Sequence, residues 1–193
     1  NHILMGILNL TPDSFSDGGK FNSSKKAVKR IKNMIDAGAD IIDVGGESTR
    51  PGSKIVSQKN ELKRVKFIVK NFKKKYPKTL LSIDTRKSKV MNFSLENDVD
   101  IVNDVSCFKF DPQSFGTIKN KNVWKIIHHM QGTPQTMQNN PKYDYVLLDI
   151  YDFFEKKIEK FKELKYQKKI ILDPGIGFGK NLKHNLMILN KIS

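Results

Sequence analysis

The chain has one cysteine, Cys107, so no disulfide can form within it, and the sequence fits a reducing cytoplasm. No stretch comes near the roughly 18 consecutive apolar residues that a membrane helix needs, so no membrane partner is expected. The opening residues lack the charged-then-apolar pattern of a secretory leader. With no methionine in first place, Asn1 is not expected to be the native start. No Gly-x-Gly-x-x-Gly follows the first apolar run, which counts against a dinucleotide-binding fold. Arginine is scarce: Arg30, Arg50, Arg64 and Arg86 are all there are, and none comes later.

Lysine, by contrast, is abundant. All but those four of the 35 basic residues are lysine, and the net charge is +15 over 193 residues. Such a charge can attract nucleic acid or anionic surfaces. Here the lysines are scattered rather than gathered on a binding module, so they read as a solvated background and no nucleic-acid partner is expected. Lys73–Lys75 and Lys168–Lys169 are expected near helix ends, where cations oppose the macrodipole. The length suits a single domain over residues 1–193.

A strand–loop–helix rhythm runs through the sequence. Short apolar runs at Ile3–Leu8, Ile41–Val44, Thr79–Ile83, Ile101–Val102, Val123–Ile127 and Lys169–Leu172 read as buried strands. Between them, Ala27, Val28, Ile31, Met34 and Ile35 share one helical face, with Ser23 or Ser24 as the expected cap and Gly38 as the stop. Leu62, Val65, Ile68, Val69 and Phe72 mark a second helix, and Leu147, Ile150, Phe154, Ile158 and Phe161 a long one from about Asp144. Further helices or turns are expected around Lys87–Glu96, Pro112–Lys119 and Asn181–Asn190. Alternation of this kind implies a parallel sheet with right-handed crossovers, either open or closed as a (β/α)₈ barrel. Asn9, Gly45–Gly46, Asp84, Asn103, His128/His129 and Asp173 are each expected just beyond a strand, and such a ring favours the barrel.

Two loops concentrate the chemistry: Asn9–Gly19 and Gly45–Gly52, reading NLTPDSFSDGG and GGESTRPG. Further polar segments are Ser82–Thr85, Ile101–Ser106, His129–Pro134 and Asp173–Lys180. In this order and spacing they resemble the dihydropteroate synthases, the folate-pathway transferases and sulfonamide targets. The resemblance runs almost end to end and implies a TIM (β/α)₈ barrel, of which about six β/α units are present here. It also implies that the family's last two units, with a lysine and an Arg-x-His group, have no counterpart, so a truncated or inactive chain is one expectation. A homodimer is expected at full length.

The resemblance assigns Asp84, Asn103 and Asp173 to pterin recognition, a task suited to carboxylates that accept paired donors and an amide that does both. It assigns Asn9 to Mg²⁺, a hard cation that combines few protein oxygens with phosphate oxygens. Thr49 and Arg50 are expected at the diphosphate and p-aminobenzoate, with Phe15 and Pro51 as apolar walls and Asp17 stabilising charge on the pterin side. Cys107 reads as a small buried residue, His129 as site-lining and His128 as structural; neighbours on a strand face opposite sides. Another pterin-binding barrel, such as a methyltetrahydrofolate methyltransferase, and a basic nucleic-acid-binding protein are the alternatives. The two loops favour the synthase.

Overall fold

The structure, a computed structural model, describes residues 2–11, 20–50, 52–165 and 167–191. Strands and helices alternate: β1 (Met5–Asn9), α1 (Lys20–Asp36), β2 (Ile41–Gly45), α2 (Gln58–Lys75), β3 (Leu80–Asp84), α3 (Ser88–Leu95), β4 (Ile101–Asp104), α4 (Ser114–Ile118), β5 (Trp124–His128), α5 (Val146–Lys160) with a 3₁₀ turn at Phe161–Glu163, β6 (Ile170–Asp173) and α6 (Leu182–Leu189). The six strands pair in parallel in chain order, β1 to β6. This is the repeat of a TIM barrel, and among the described residues β1 and β6 are the two edges.

Local chemistry explains the helix ends. Ser57 accepts a hydrogen bond from the Asn60 N–H at the start of α2, and Lys73, Lys74 and Lys75 fill its last turn. Asn181 caps α6 in a reciprocal box with His184. After α1 the chain reverses through Gly38 at φ 98°, a left-handed conformation suited to glycine. Two expectations are corrected. α1 already runs from Lys20, so Ser23 and Ser24 lie inside it rather than at its cap. Lys168 and Lys169 lead into β6 and close no helix.

The alternation of side chains along each strand builds two cores. Outward, Leu8, Ile42, Val44, Leu81, Ile83, Val102 and Ile127 are buried under Ala27, Ile31, Val65, Ile68, Phe72, Val90, Met91, Ile118, Ile150 and Phe154 of the helices. Burying each of the larger of these side chains stabilises the fold by about 1.5–3 kcal/mol. Inward, Ile41, Ile101 and Ile126 pack with Met5 and Ile171 as a separate plug. The plug fixes which residues face the barrel interior. Every second residue along a strand shares that face, so the polar residues one and two steps above the plug look inward too.

Candidate active site

Above the plug the strand ends supply one row of side chains. Asn9 pairs with Gly45, Gly45 with Asp84, and Asp84 with Asn103, while His128 pairs with Asp173. These residues are the last or next-to-last of their strands, not loop residues beyond them as expected. The ladder therefore holds their backbones. Gly45 has a steric reason to be glycine: a Cβ there would lie 3.2 Å from Asp84 Oδ2 and 3.4 Å from Asn9 Oδ1. Its bare backbone lets both side chains flank it.

One layer deeper sits Asp43, which the sequence reading passed over as a lone polar residue within an apolar strand. It is buried, and its Oδ2 accepts from Asn103 Nδ2 at 3.1 Å. Burial is the largest influence on its carboxyl and pushes it upward, with the Asn103 amide opposing. Asp84 is pushed well above the carboxylate range by burial and by the charges of Asp43, Glu61, Asp104 and Glu47. Asp43 Oδ1, Ser82 Oγ, Asn103 Oδ1 and His128 Nε2 are buried without a hydrogen bond. A buried polar atom left unpaired costs about 1–3 kcal/mol, so such a concentration marks a place where a ligand or ordered water supplies the partners.

On the far side, Asp173 is held on both oxygens, by His128 Nδ1 at 3.0 Å and the Gly175 N–H at 2.8 Å. Burial works against its charge, but His128, the Gly175 N–H and Lys180 together keep it below the usual range. The two histidines exchange their expected roles. His128 faces the interior, edge-on to Phe178 at 4.6 Å. His129 faces the helices, edge-on to Phe153 at 4.9 Å, with Nδ1 2.9 Å from Lys180 Nζ. Burial, then Lys180, pushes His129 down to about 3. Lys180 also donates to the carbonyls of Gly175 and Phe178, both at 2.9 Å, and burial lowers it to about 8. Gly175 has φ 69°, and a Cβ there would stand 2.0 Å from the His129 carbonyl oxygen.

The loop after β2 is tied down by a different kind of cluster. Glu47 Oε2 accepts from Arg86 Nε at 3.1 Å and Nη2 at 2.7 Å, and Oε1 accepts from the Val56 N–H at 2.8 Å. Lys87 Nζ bridges Glu47 at 3.0 Å and Glu61 at 2.5 Å, and Thr85 donates to Glu61. Arg86 also stacks over Phe110, 4.1 Å from its ring centre. This network spans the two ends of the loop that carries Thr49, half-buried, and Arg50, exposed. Asp104 pins the turn beyond β4 through the Ser106 and Phe108 N–H groups, where Cys107 and Phe108 adopt φ of 55° and 58°. Cys107 is buried, and its thiol is pushed up to about 11. Phe15, Asp17 and Pro51 lie outside the described residues.

Residues 5–193 match the family described as pterin binding enzyme. The chain is 44% identical over 191 residues to the dihydropteroate synthase of Escherichia coli strain K12, covering 98% of this chain and 67% of that one. This chain belongs to the pterin-binding enzymes, among the dihydropteroate synthases. Its relatives are transferases of folate biosynthesis, and the other readings left open by the sequence are not favoured. The solved dihydropteroate synthase of Yersinia pestis, in a sulfonamide drug complex, superposes at TM-score 0.87 with 40% identity, over 98% of this chain and 69% of that one. That of Xanthomonas albilineans, with 4-aminobenzoic acid, superposes at 0.88 with 32% identity, over 98% and 67%. The chain spans about two thirds of the length of these relatives.

Proposed function

We propose that this protein joins p-aminobenzoate to (7,8-dihydropterin-6-yl)methyl diphosphate, giving 7,8-dihydropteroate and pyrophosphate. The observation that carries the reading is the set of inward polar side chains from β2, β3, β4 and β6, with buried atoms still unpaired. Asp84, Asn103 and Asp173, joined by Asp43, read the donor and acceptor edge of the pterin ring. A wrong ring would leave these groups unpaired, and that gives selectivity. Thr49 and Arg50 serve the p-aminobenzoate and diphosphate side; the family resemblance assigns Phe15 and Pro51 to the same task and Asp17 to charge developing on the pterin.

In the reaction the aromatic amine nitrogen bonds to the pterin methylene carbon as the carbon–oxygen bond to diphosphate breaks. The electron pair leaves with pyrophosphate and the amine gives up a proton. The protein's task is alignment of the two substrates and stabilisation of the departing charge. No covalent nucleophile is needed, and Cys107, buried with a raised thiol pKa, is unsuited to be one.

Asn9 fits a Mg²⁺ site: it offers a half-buried amide oxygen at the mouth beside Asp84. A single amide oxygen suits an ion held mainly by water and phosphate oxygens, which would neutralise charge on the leaving pyrophosphate. A cytoplasmic enzyme, a homodimer at full length, completes the proposal. The test is product analysis of the native protein with both substrates and Mg²⁺. Equimolar dihydropteroate and pyrophosphate are expected, and pyrophosphate released without p-aminobenzoate consumption would refute the reading.

A further inference from the structure

We propose that His128 is a positioning residue for pterin recognition, acting through Asp173; this rests on the pterin reading of the site. The last residue of β5 stands directly opposite Asp173 in the parallel ladder, and both face the barrel interior. His128 is 4% exposed, and its Nδ1 lies 3.0 Å from Asp173 Oδ2. The carboxylate can only accept there, so the imidazole donates its Nδ1 proton. Nε2 is buried without a protein partner. The contact with Asp173 thus needs Nδ1 to carry a proton.

With the Gly175 N–H on Oδ1, one donor then occupies each carboxylate oxygen, leaving each with acceptor capacity for a ligand. The carboxylate plane is set before the substrate arrives. The ring itself is fixed by its edge-on contact with Phe178 at 4.6 Å and by Gly175. A Cβ on Gly175 would lie 3.0 Å from Nε2, so the turn after β6 closes over the histidine only because that residue is glycine. His128 thus couples the end of β5 to the ligand-reading carboxylate of β6. Asn preserves a donor near the Nδ1 position, whereas Met fills similar space with none.

The experiment compares His128→Met, His128→Asn and Asp173→Asn in the native enzyme by steady-state kinetics with each substrate varied. His128→Met is expected to raise the KM for dihydropterin diphosphate about tenfold, the size of one hydrogen bond to a charged group. The KM for p-aminobenzoate should stay within about twofold, and His128→Asn should restore most of the loss. An unchanged pterin KM in His128→Met, or an equal rise for both substrates without rescue by Asn, overturns the proposal. Asp173→Asn separates the two layers of argument. If it too leaves the pterin KM unchanged, the pterin reading of Asp173 fails; if it raises it while His128→Met does not, only the role of His128 fails. Should His128→Met fold poorly, ¹⁵N-histidine NMR of the unmodified protein decides: a proton on Nδ1 is expected, and a neutral ring protonated on Nε2 refutes the assignment.

Discussion

Two buried polar clusters share β2 and β3 and their following loops, yet they are finished in opposite ways. In the Glu47–Glu61–Arg86–Lys87 cluster each carboxylate oxygen accepts from a cation, a hydroxyl or a backbone N–H. In the barrel interior Asp43, Ser82 and Asn103 each keep a buried atom without a partner, and Asp84 stands among like charges. The first arrangement is complete in the protein alone and resists change. The second is affordable only in a fold stabilised elsewhere, and it gains when a ligand brings the missing partners. Substitutions that damage the first should therefore lower stability, and those in the second should lower binding.

The largest effect is expected from Glu61→Ala. Glu61 is fully buried and receives Lys87 and Thr85, so its removal leaves a buried ammonium with Glu47 as its one remaining carboxylate and a buried hydroxyl without its acceptor. Breaking one side of a buried ion pair typically costs about 3–5 kcal/mol. Urea unfolding should show that loss, and a change below about 1 kcal/mol would mean that the cluster is not what holds the loop after β2.

Asp84→Asn should separate stability from binding. Its folded pKa is raised above the unfolded value, so ionisation favours the unfolded chain; the penalty is present at neutral pH and relieved on acidification. The amide removes that penalty, and unfolding should shift to higher urea at pH 7. Calorimetry with a pterin ligand should show the reverse, a loss of about 1–3 kcal/mol in binding. A variant that is both less stable and unimpaired in binding would invert the contrast between the clusters.

A third test uses pH. His129 is lowered to about 3 from 6.5, first by burial and then by Lys180. The unfolded chain binds its proton more readily, so His129 contributes stability above pH 6.5 that is lost as pH falls towards 3. At pH 5 the loss is about 2 kcal/mol relative to pH 7. Asp104, raised to about 6 by burial, works in the opposite direction over part of that range. The difference between the native protein and His129→Gln isolates the histidine: the variant's stability should fall less between pH 7 and 5. Parallel pH curves would remove His129 from the account.

Much of this was legible in the sequence because short apolar runs and turn residues mark each β/α unit. All six expected strands are present, and Asp84, Asn103 and Asp173 lie on them. The ends were misread by a residue or two, since a polar side chain ends an apolar run without ending the hydrogen-bond ladder. Asp43 escaped notice because one carboxylate inside Ile-Ile-Asp-Val looks like an exception, and only the inward parity set by Ile41 makes it a site residue. The same parity separates His128 from His129. Alternation says that they face apart, but which faces inward follows from Ile126 in the plug. Glu47 and Glu61 meet through Lys87 across two loops, a tertiary contact that no local spacing announces.

The smallest effect is expected where the completed cluster loses shape but not charge. Arg86→Lys keeps the cation beside Glu47 but removes the planar fork, whose Nε and Nη2 both reach Oε2, and the stack over Phe110. Lys87 still bridges Glu47 and Glu61, and the Val56 N–H still binds Oε1, so Glu47 remains neutralised. A loss of about 1 kcal/mol is expected, well below that of Glu61→Ala. The functional consequence should fall on the loop holding Thr49 and Arg50, because Glu47 is two residues from Thr49. The KM for p-aminobenzoate should therefore rise a few-fold, by roughly the factor that such a loss allows, while that for the pterin substrate stays level. If the pterin KM moves instead, the two clusters are mechanically coupled through β3 and the division between a finished scaffold and an unfinished site is wrong.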